Sequence, residues 1–221
     1  MTNNDTLGET RISGLILWPA LITLAITILR LAGELQHWGA PWFKRSPGGL
    51  GAIVGISWLP ILFGPYFAMK LSARGEGPAS YGKAFAALGG GFAVLILGIA
   101  LLFASKEEGP LALAAWVLAL VAAFIPRLGW RSLSTTLLAY AFAARIPVLI
   151  VAFVAMQGRW GTHYDAVGES LAQASLWVRF FREAFLPQMF GWIGYTVVLG
   201  ALCGEVFTAI FGSKRVLPRP A

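Results

Sequence analysis

Arg145 and Glu205 are the two residues whose types and positions could do chemistry within a membrane. Arg145 lies near the middle of the apolar run 132–157, and Glu205 lies inside the last apolar run, 187–212. A charged side chain at the bilayer centre costs at least about 2.5–3.5 kcal/mol, so it normally faces the protein interior and finds a partner. If the two helices cross in opposite senses, the axial offset between the residues is about 7 Å at 1.5 Å per residue. An arginine side chain can bridge that distance, and we therefore predict an intramembrane Arg145–Glu205 pair.

The predicted pair has two interpretations. As a functional site, it would bind a substrate anion or take part in proton-linked transport. As a structural ion pair, it would join the fifth and sixth membrane helices. We favour the structural interpretation, because a pair with no third ionisable group is a poor proton relay.

Pro60 and Pro147 are candidate helix breaks in the second and fifth apolar runs. Proline cannot donate the backbone hydrogen bond of a helical turn, and its ring pushes on the carbonyl four residues earlier. For Pro147 that carbonyl belongs to Ala143, so the guanidinium of Arg145 could satisfy it locally. Matching breaks in two halves of a chain occur in transporters, but for two prolines chance is the better explanation.

A polar patch with His163 and Asp165 lies in the connection before the last run. Together with Glu169 and His37, it could in principle ligate a metal ion. The spacing matches no zinc or two-metal signature, and a turn capped by Asp165 explains the same residues. Both histidines lie outside the apolar runs, which disfavours a haem held across the bilayer. We therefore predict no metal and no cofactor.

The composition predicts that these residues belong to a membrane protein. The 221 residues are 57% hydrophobic and 12% charged, with a mean hydropathy of +0.72, whereas soluble domains carry about 25% charged residues. Runs of about 20 apolar residues match the hydrocarbon core of a bilayer. We predict an all-α polytopic protein, one membrane domain over residues 1–221, with about six transmembrane helices. The predicted spans are 12–33, 50–71, 84–104, 111–126, 132–157 and 187–212.

The connection before the last span predicts one further helix, over residues 168–185. Its apolar residues recur at helical spacing and alternate with charged ones, which is typical of an amphipathic helix lying in the headgroup region. The alternative, a helix that covers the end of the bundle, is compatible with this one.

Charge predicts the location and the orientation. The net charge of +7 comes mostly from bases that flank apolar runs, where they meet anionic lipid, so we expect no nucleic-acid binding. The side that carries the two termini holds slightly more Lys and Arg than the other side. We therefore expect a multi-pass protein of the cell membrane, a bacterial inner membrane, with both termini cytoplasmic.

The sequence predicts no enzyme, because it carries no P-loop, HExxH or CxxCH motif. Our leading prediction is a non-catalytic membrane subunit or scaffold, with the lipid bilayer and either other membrane subunits or a second copy as partners. It would pack through its small-residue faces. For the GxxxG motif at 200–204, we favour packing within the bundle over a dimer face. The alternative is a small transporter or channel-like protein with a site around Arg145 and Glu205. An enzyme built on His163 and Asp165 is the least favoured class.

Overall fold

The computed structural model describes residues 3–45, 53–106 and 108–212, with side chains from Ile12 onward, and these residues form helices and connections without a strand. The prediction of an all-helical protein is confirmed for this part of the chain. The α-helices are α1 Asn3–Leu35, α2 Leu59–Ser72, α3 Tyr81–Ala104, α4 Gly109–Ala122, α5 Arg131–Gly158, α6 Leu176–Arg179 and α7 Trp192–Phe211.

Five helical stretches among the described residues are long and apolar enough to cross a membrane. This agrees with the prediction of a multi-pass membrane protein. The stretches are Ile12–Leu35, Tyr81–Ala104, Gly109–Leu128, Arg131–Gly158 and Leu176–Phe211.

The second predicted span, 50–71, differs from the helix that the structure contains. Residues 53–58 form bends and turns, α2 begins at Leu59, and 50–52 lie outside the described residues. Its 14 residues reach about 21 Å, less than the roughly 30 Å of a hydrocarbon core. Pro60 lies in the first turn of α2, where a missing N–H costs little. It therefore begins this helix instead of breaking one.

Pro147 lies inside α5, which continues as an α-helix to Gly158 on the far side of the proline. A proline removes one hydrogen bond but does not end a helix when packing holds both halves. The position predicted as a helix break is thus part of one 28-residue helix.

The region predicted as a separate interfacial helix, 168–185, is divided differently. Glu169–Leu171 is a short 3₁₀ turn, and α6 begins only after Ser175, whose hydroxyl accepts a hydrogen bond from the backbone of Val178. Serine is a favoured residue at this position. From α6 the chain runs through two π-helical segments, Phe180–Phe185 and Pro187–Gly191, directly into α7.

The chain forms two compact units. Unit 1 comprises Met1–Trp58 and Ala139–Ile193, and unit 2 comprises Leu59–Leu138 and Gly194–Ala221. The core of unit 1 is built by the second half of α5 together with the connection that follows it. Its buried members are Val148, Ala152, Ala155, Met156, Tyr164 and Ala184.

Unit 2 is held together by glycines that let helices approach closely. A Cβ placed on Gly204 would lie 2.7 Å from the carbonyl oxygen of Gly64, and one on Gly98 would lie 3.0 Å from that of Ala115. Such contacts leave no room for a side chain, which is how small residues join membrane helices. The predicted packing of the GxxxG motif at 200–204 within the bundle is confirmed, because Gly204 packs against α2 and Gly200 packs against Leu137 of α5.

Candidate functional site

A buried carboxylate, Glu34, lies at the centre of the best-connected polar site in unit 1. Its Oε1 accepts hydrogen bonds from Nε of Arg30, at 2.9 Å, and from Nδ1 of His163, at 2.6 Å. Its Oε2 accepts a third, at 2.8 Å, from the backbone N–H of His163. Arg30 and Glu34 stand four residues apart on one face of α1, the spacing at which opposite charges meet. We call Arg30, Glu34 and His163 the Glu34 cluster.

Asp165 sets the loop conformation that presents His163. One carboxylate oxygen accepts from both the backbone N–H and the hydroxyl of Thr162, each at 2.6 Å, and the other accepts from the N–H of Gly161 at 2.8 Å. Gly161 has a φ of 67°, which glycine adopts without steric cost. The carboxylate of Asp165 is therefore engaged in a local turn.

Tyr164 covers the Glu34 cluster from the side of the unit 1 core. Its ring lies 3.8 Å from the ring of His163, and its hydroxyl donates to the carbonyl oxygen of Thr27 at 3.3 Å. Burial raises the pKa of Tyr164 above its ordinary value, an effect that the nearby Arg30 partly opposes. The phenol is neutral and serves as a hydrogen-bond donor.

Burial also has the largest effect on the pKa of His163. It lowers the pKa of the imidazole, and the hydrogen bond to Glu34 only partly offsets this effect. At neutral pH the ring is uncharged, with its proton on Nδ1 facing the carboxylate. A carboxylate that fixes a histidine tautomer in this way orients the ring for metal binding or proton transfer. Among the described residues, however, no group of three or more His, Cys, Asp and Glu side chains could hold a metal ion.

Hydrogen bonds of Arg30 and Arg45 hold the connection after α1 at the same site. Arg30 donates from Nη2 to the carbonyl oxygen of Lys44 at 3.3 Å. Arg45 donates to the carbonyl oxygen of Glu34 and also lies in hydrogen-bond contact with His37. These contacts tie the connection to the end of α1, and they place His37 against Arg45.

Arg145 is buried in α5 and has partners within unit 1. Its Nη1 donates to Oε1 of Gln188 at 3.3 Å, and its guanidinium lies 4.6 Å from the ring centroid of Trp192. A guanidinium over a tryptophan face gains up to about 2 kcal/mol where water is excluded. One turn earlier, the hydroxyl of Tyr140 is hydrogen-bonded to that of Thr23 at 2.8 Å. Local partners thus stabilise the charge of Arg145.

Glu205 lies in α7, within unit 2, and is fully buried. Neither oxygen of its carboxylate has a hydrogen-bond partner among the described residues. One turn later, the hydroxyl of Thr208 donates to the carbonyl oxygen of Gly204 at 2.8 Å. The Arg145–Glu205 pair stays a prediction, because the two residues belong to different units.

Sequence reasoning identified His163 and Asp165 but missed Arg30 and Glu34. The available signal was their i, i+4 spacing, which places opposite charges on one helix face at the bilayer edge. The contact with His163 spans 129 positions, and no local pattern could predict it.

Comparison with known protein families, curated proteins and solved structures finds no match for this chain.

Proposed function

We propose that this chain is a non-catalytic subunit or scaffold of the cell membrane, and that a transmembrane helix of another subunit or of a second copy docks against α3. Its two termini lie on the cytoplasmic side of a bacterial inner membrane. The supporting observation is an exposed stripe of small residues along α3.

The stripe follows the spacing of a helix–helix seam. Its six residues recur at alternating intervals of four and three, as knobs-into-holes packing requires. All six are exposed, and five of them are Gly or Ala, the residues that let membrane helices approach closely. We call this set the α3 seam: Gly82, Ala86, Gly89, Ala93, Ile96 and Ala100.

The opposite face of α3 already has its partner within unit 2. A Cβ on Gly98 would meet α4, whereas a Cβ on Gly89 would meet nothing within 4 Å. Glycine inside a helix costs about 1 kcal/mol relative to alanine. Packing among the described residues does not explain a glycine at position 89, and a docked helix would.

The polar residues of unit 1 add support. The Glu34 cluster uses both oxygens of its carboxylate on protein donors, and Arg145 is packed against Trp192. Groups engaged in this way stabilise the fold and leave little capacity for a reaction.

The mass of the complex extracted from native membranes by a mild detergent tests the proposal. The wild-type chain should migrate in an assembly larger than the 23.7 kDa of one chain. Gly89→Leu should shift most of it to the monomer, because the leucine holds the docking helix away from the seam. The midpoint of thermal aggregation should stay unchanged, since the new side chain has open space.

Gly14→Leu is the matched control, because Gly14 is also an exposed helical glycine with nothing within 4 Å of its Cβ position. This variant should keep the wild-type assembly. A monomeric wild-type chain, or an assembly unaffected by Gly89→Leu, would overturn the proposal.

The finer topology is part of the same proposal. Six spans require the chain before α2 to complete a crossing together with its 14 residues, and α6 with the following π segment would lie at the interface. The excess of bases beside the termini supports cytoplasmic ends. Reporters fused after Arg215 should be active only in the cytoplasm, and activity outside it would reverse this orientation.

A small transporter or channel-like protein is the second candidate, and the carboxylate of Glu205 favours it. A buried carboxylate without a protein donor is typical of an ion or proton pathway. Proteoliposomes test this candidate: a cation or proton flux that Glu205→Gln abolishes would support it. Equal flux through the wild-type chain and the variant would exclude the transporter candidate.

A further inference from the structure

Glu205 of α7 and Glu34 of α1 are both fully buried, but their carboxylates have different surroundings. Glu34 accepts hydrogen bonds on both oxygens, from Arg30 and from His163. Neither oxygen of Glu205 has a hydrogen-bond partner among the residues that the structure describes. Donors of this kind stabilise a carboxylate as an anion, so Glu34 is stabilised in its charged form and Glu205 is not.

The other charged side chains on the described helices of unit 2 lie at its surface. All four are exposed, and none donates a hydrogen bond to Glu205. They belong to α2, to α3, to the 3₁₀ turn after α4 and to the start of α5: Lys70, Lys83, Arg127 and Arg131. Within the described helices of this unit, Glu205 therefore has neither a hydrogen-bond donor nor a counter-charge.

The position of Glu205 in the membrane makes an unpaired anion costly. The residue lies in Leu176–Phe211, one of the stretches that are long and apolar enough to cross a membrane. Its distance from the end of α7 at Phe211 is about 9 Å at 1.5 Å per residue. The core of a bilayer offers no water to replace a missing donor. A buried carboxylate without a partner then becomes neutral by binding a proton.

Close helix contacts beside Glu205 favour a proton over a metal ion. A Cβ on the preceding residue, Gly204, would lie 2.7 Å from the carbonyl oxygen of Gly64 and 3.0 Å from the side chain of Ala68. The hydroxyl of Thr208, one turn later, already donates to the carbonyl oxygen of Gly204 at 2.8 Å. Calcium and magnesium ions take about six or more oxygen ligands, whereas a proton needs one oxygen. The tight contact between α7 and α2 therefore fits a proton better.

We infer that Glu205 is a proton-binding site and that its carboxyl group is neutral in the folded protein at neutral pH. The inference deepens the second candidate function, because it names the proton as the ion that such a transporter would carry, and its role in transport rests on that candidate. The bound proton itself does not require transport. When tertiary contacts are lost in detergent, α7 stays in apolar surroundings and keeps the proton, so the site adds no pH dependence to unfolding.

Modification of the full chain in native membranes by dicyclohexylcarbodiimide tests the site. A neutral carboxyl group gives its proton to one nitrogen of this apolar reagent, its oxygen attacks the central carbon, and rearrangement leaves a stable N-acylurea that contains the whole reagent. Peptide mass spectrometry should find Glu205 modified about tenfold more than Glu34, because the buried ion pair keeps Glu34 charged. Glu34 is the matched control, since it is equally buried.

Sodium ions distinguish a proton site from a metal site at the same carboxyl group. The modification of Glu205 should be equal in sodium chloride and in choline chloride, because no sodium ion competes with the proton. Protection of Glu205 by sodium would overturn the assignment to a proton.

Infrared spectroscopy detects the same proton without a reagent that must reach the site. The difference spectrum between the wild-type chain and Glu205→Gln should contain the C=O stretch of a neutral carboxyl group. The difference spectrum for Glu34→Gln should contain carboxylate bands instead. Carboxylate bands for Glu205, or equal modification of the two glutamates, would overturn the inference. If Glu205→Gln does not fold, an unmodified Glu205 in the wild-type chain would overturn it as well.

Flux measurements in proteoliposomes separate the failure of this inference from the failure of the second candidate function. A neutral Glu205 in a chain that moves no protons would exclude transport and retain the proton site. A flux that Glu205→Gln abolishes, together with carboxylate bands for Glu205, would retain transport and exclude the proton site.

Discussion

Nδ1 of His163 lies 2.6 Å from Oε1 of Glu34, although 129 positions separate the two residues along the chain. This contact joins the end of α1 to the connection that follows α5. Because the same carboxylate also accepts from Arg30 of α1, one fully buried side chain holds these two segments of unit 1 together.

Replacing Glu34 by glutamine should destabilise the protein strongly. The amide cannot neutralise Arg30, and breaking a buried ion pair costs about 3 kcal/mol or more. For a chain of this size, we expect the midpoint of thermal aggregation in detergent to fall by about 5–10 °C. Glu169→Gln, an exposed change in the same connection, should leave the midpoint within about 1 °C. Equal midpoints for both variants would show that the cluster does not stabilise the fold.

The stability should fall as the solution becomes acidic through the ordinary pKa of histidine, 6.5. Burial lowers the pKa of His163 in the folded state, and Glu34, Arg30 and Asp165 face its ring. The unfolded chain therefore binds the proton first as the pH falls. The stabilisation is present above pH 6.5 and is lost below it.

Thermal aggregation measured between pH 7.5 and pH 5.5 checks this prediction. The midpoint of the wild-type chain should decrease across this range, and His163→Gln should flatten the decrease. His37→Gln, which alters the other histidine, should preserve it. A wild-type profile that is flat, or that rises towards acid, would contradict the burial argument.

Trp192 should stabilise the buried charge of Arg145 more than any distant acidic residue does. Arg145→Leu and Trp192→Leu each remove the same contact, so their effects on stability should be less than additive. A predicted pair with Glu205 would instead make Arg145→Leu more damaging than the double change Arg145→Leu/Glu205→Leu. Thermal aggregation of the single variants and of the two double variants distinguishes Trp192 from Glu205 as the partner of Arg145. Losses of stability that are additive in both double variants would exclude both partners.

Gly204→Val should separate α7 from α2. Its new atoms would meet the Gly64 carbonyl oxygen and the side chain of Ala68, and overpacking of this kind costs about 1–3 kcal/mol. The denaturation midpoint in a detergent titration should fall accordingly. Gly14→Val, which lies outside the α3 seam and also has open space around it, serves as the control. A tolerated Gly204→Val would mean that the helices are not in close contact there.

Local patterns predicted the parts of the fold that depend on composition. Apolar runs placed the four long spans around α1, α3, α4 and α5, because burial in lipid requires about 20 apolar residues. The same patterns misplaced the start of α2, since residues 53–58 are apolar without being helical. Hydropathy indicates whether a segment prefers lipid or water, but it does not predict whether the backbone is helical.

The candidate site was less predictable than the fold. Arg145 was identified from its charge, but its contact with Trp192 joins α5 to the first residue of α7, and no local pattern predicts which side chains of two helices meet. The Glu34 cluster depends on tertiary contacts across more than a hundred positions. Such contacts follow from packing geometry, which a single sequence does not contain.

Photo-crosslinking within native membranes shows whether another helix docks against the α3 seam. A photoreactive side chain of similar size in place of Ile96, the one bulky residue of the seam, should give one discrete protein adduct, because a docked helix would cover it. The same group at position 14 should label lipid alone, because no seam runs along that face. Lipid labelling alone at both positions would contradict the account.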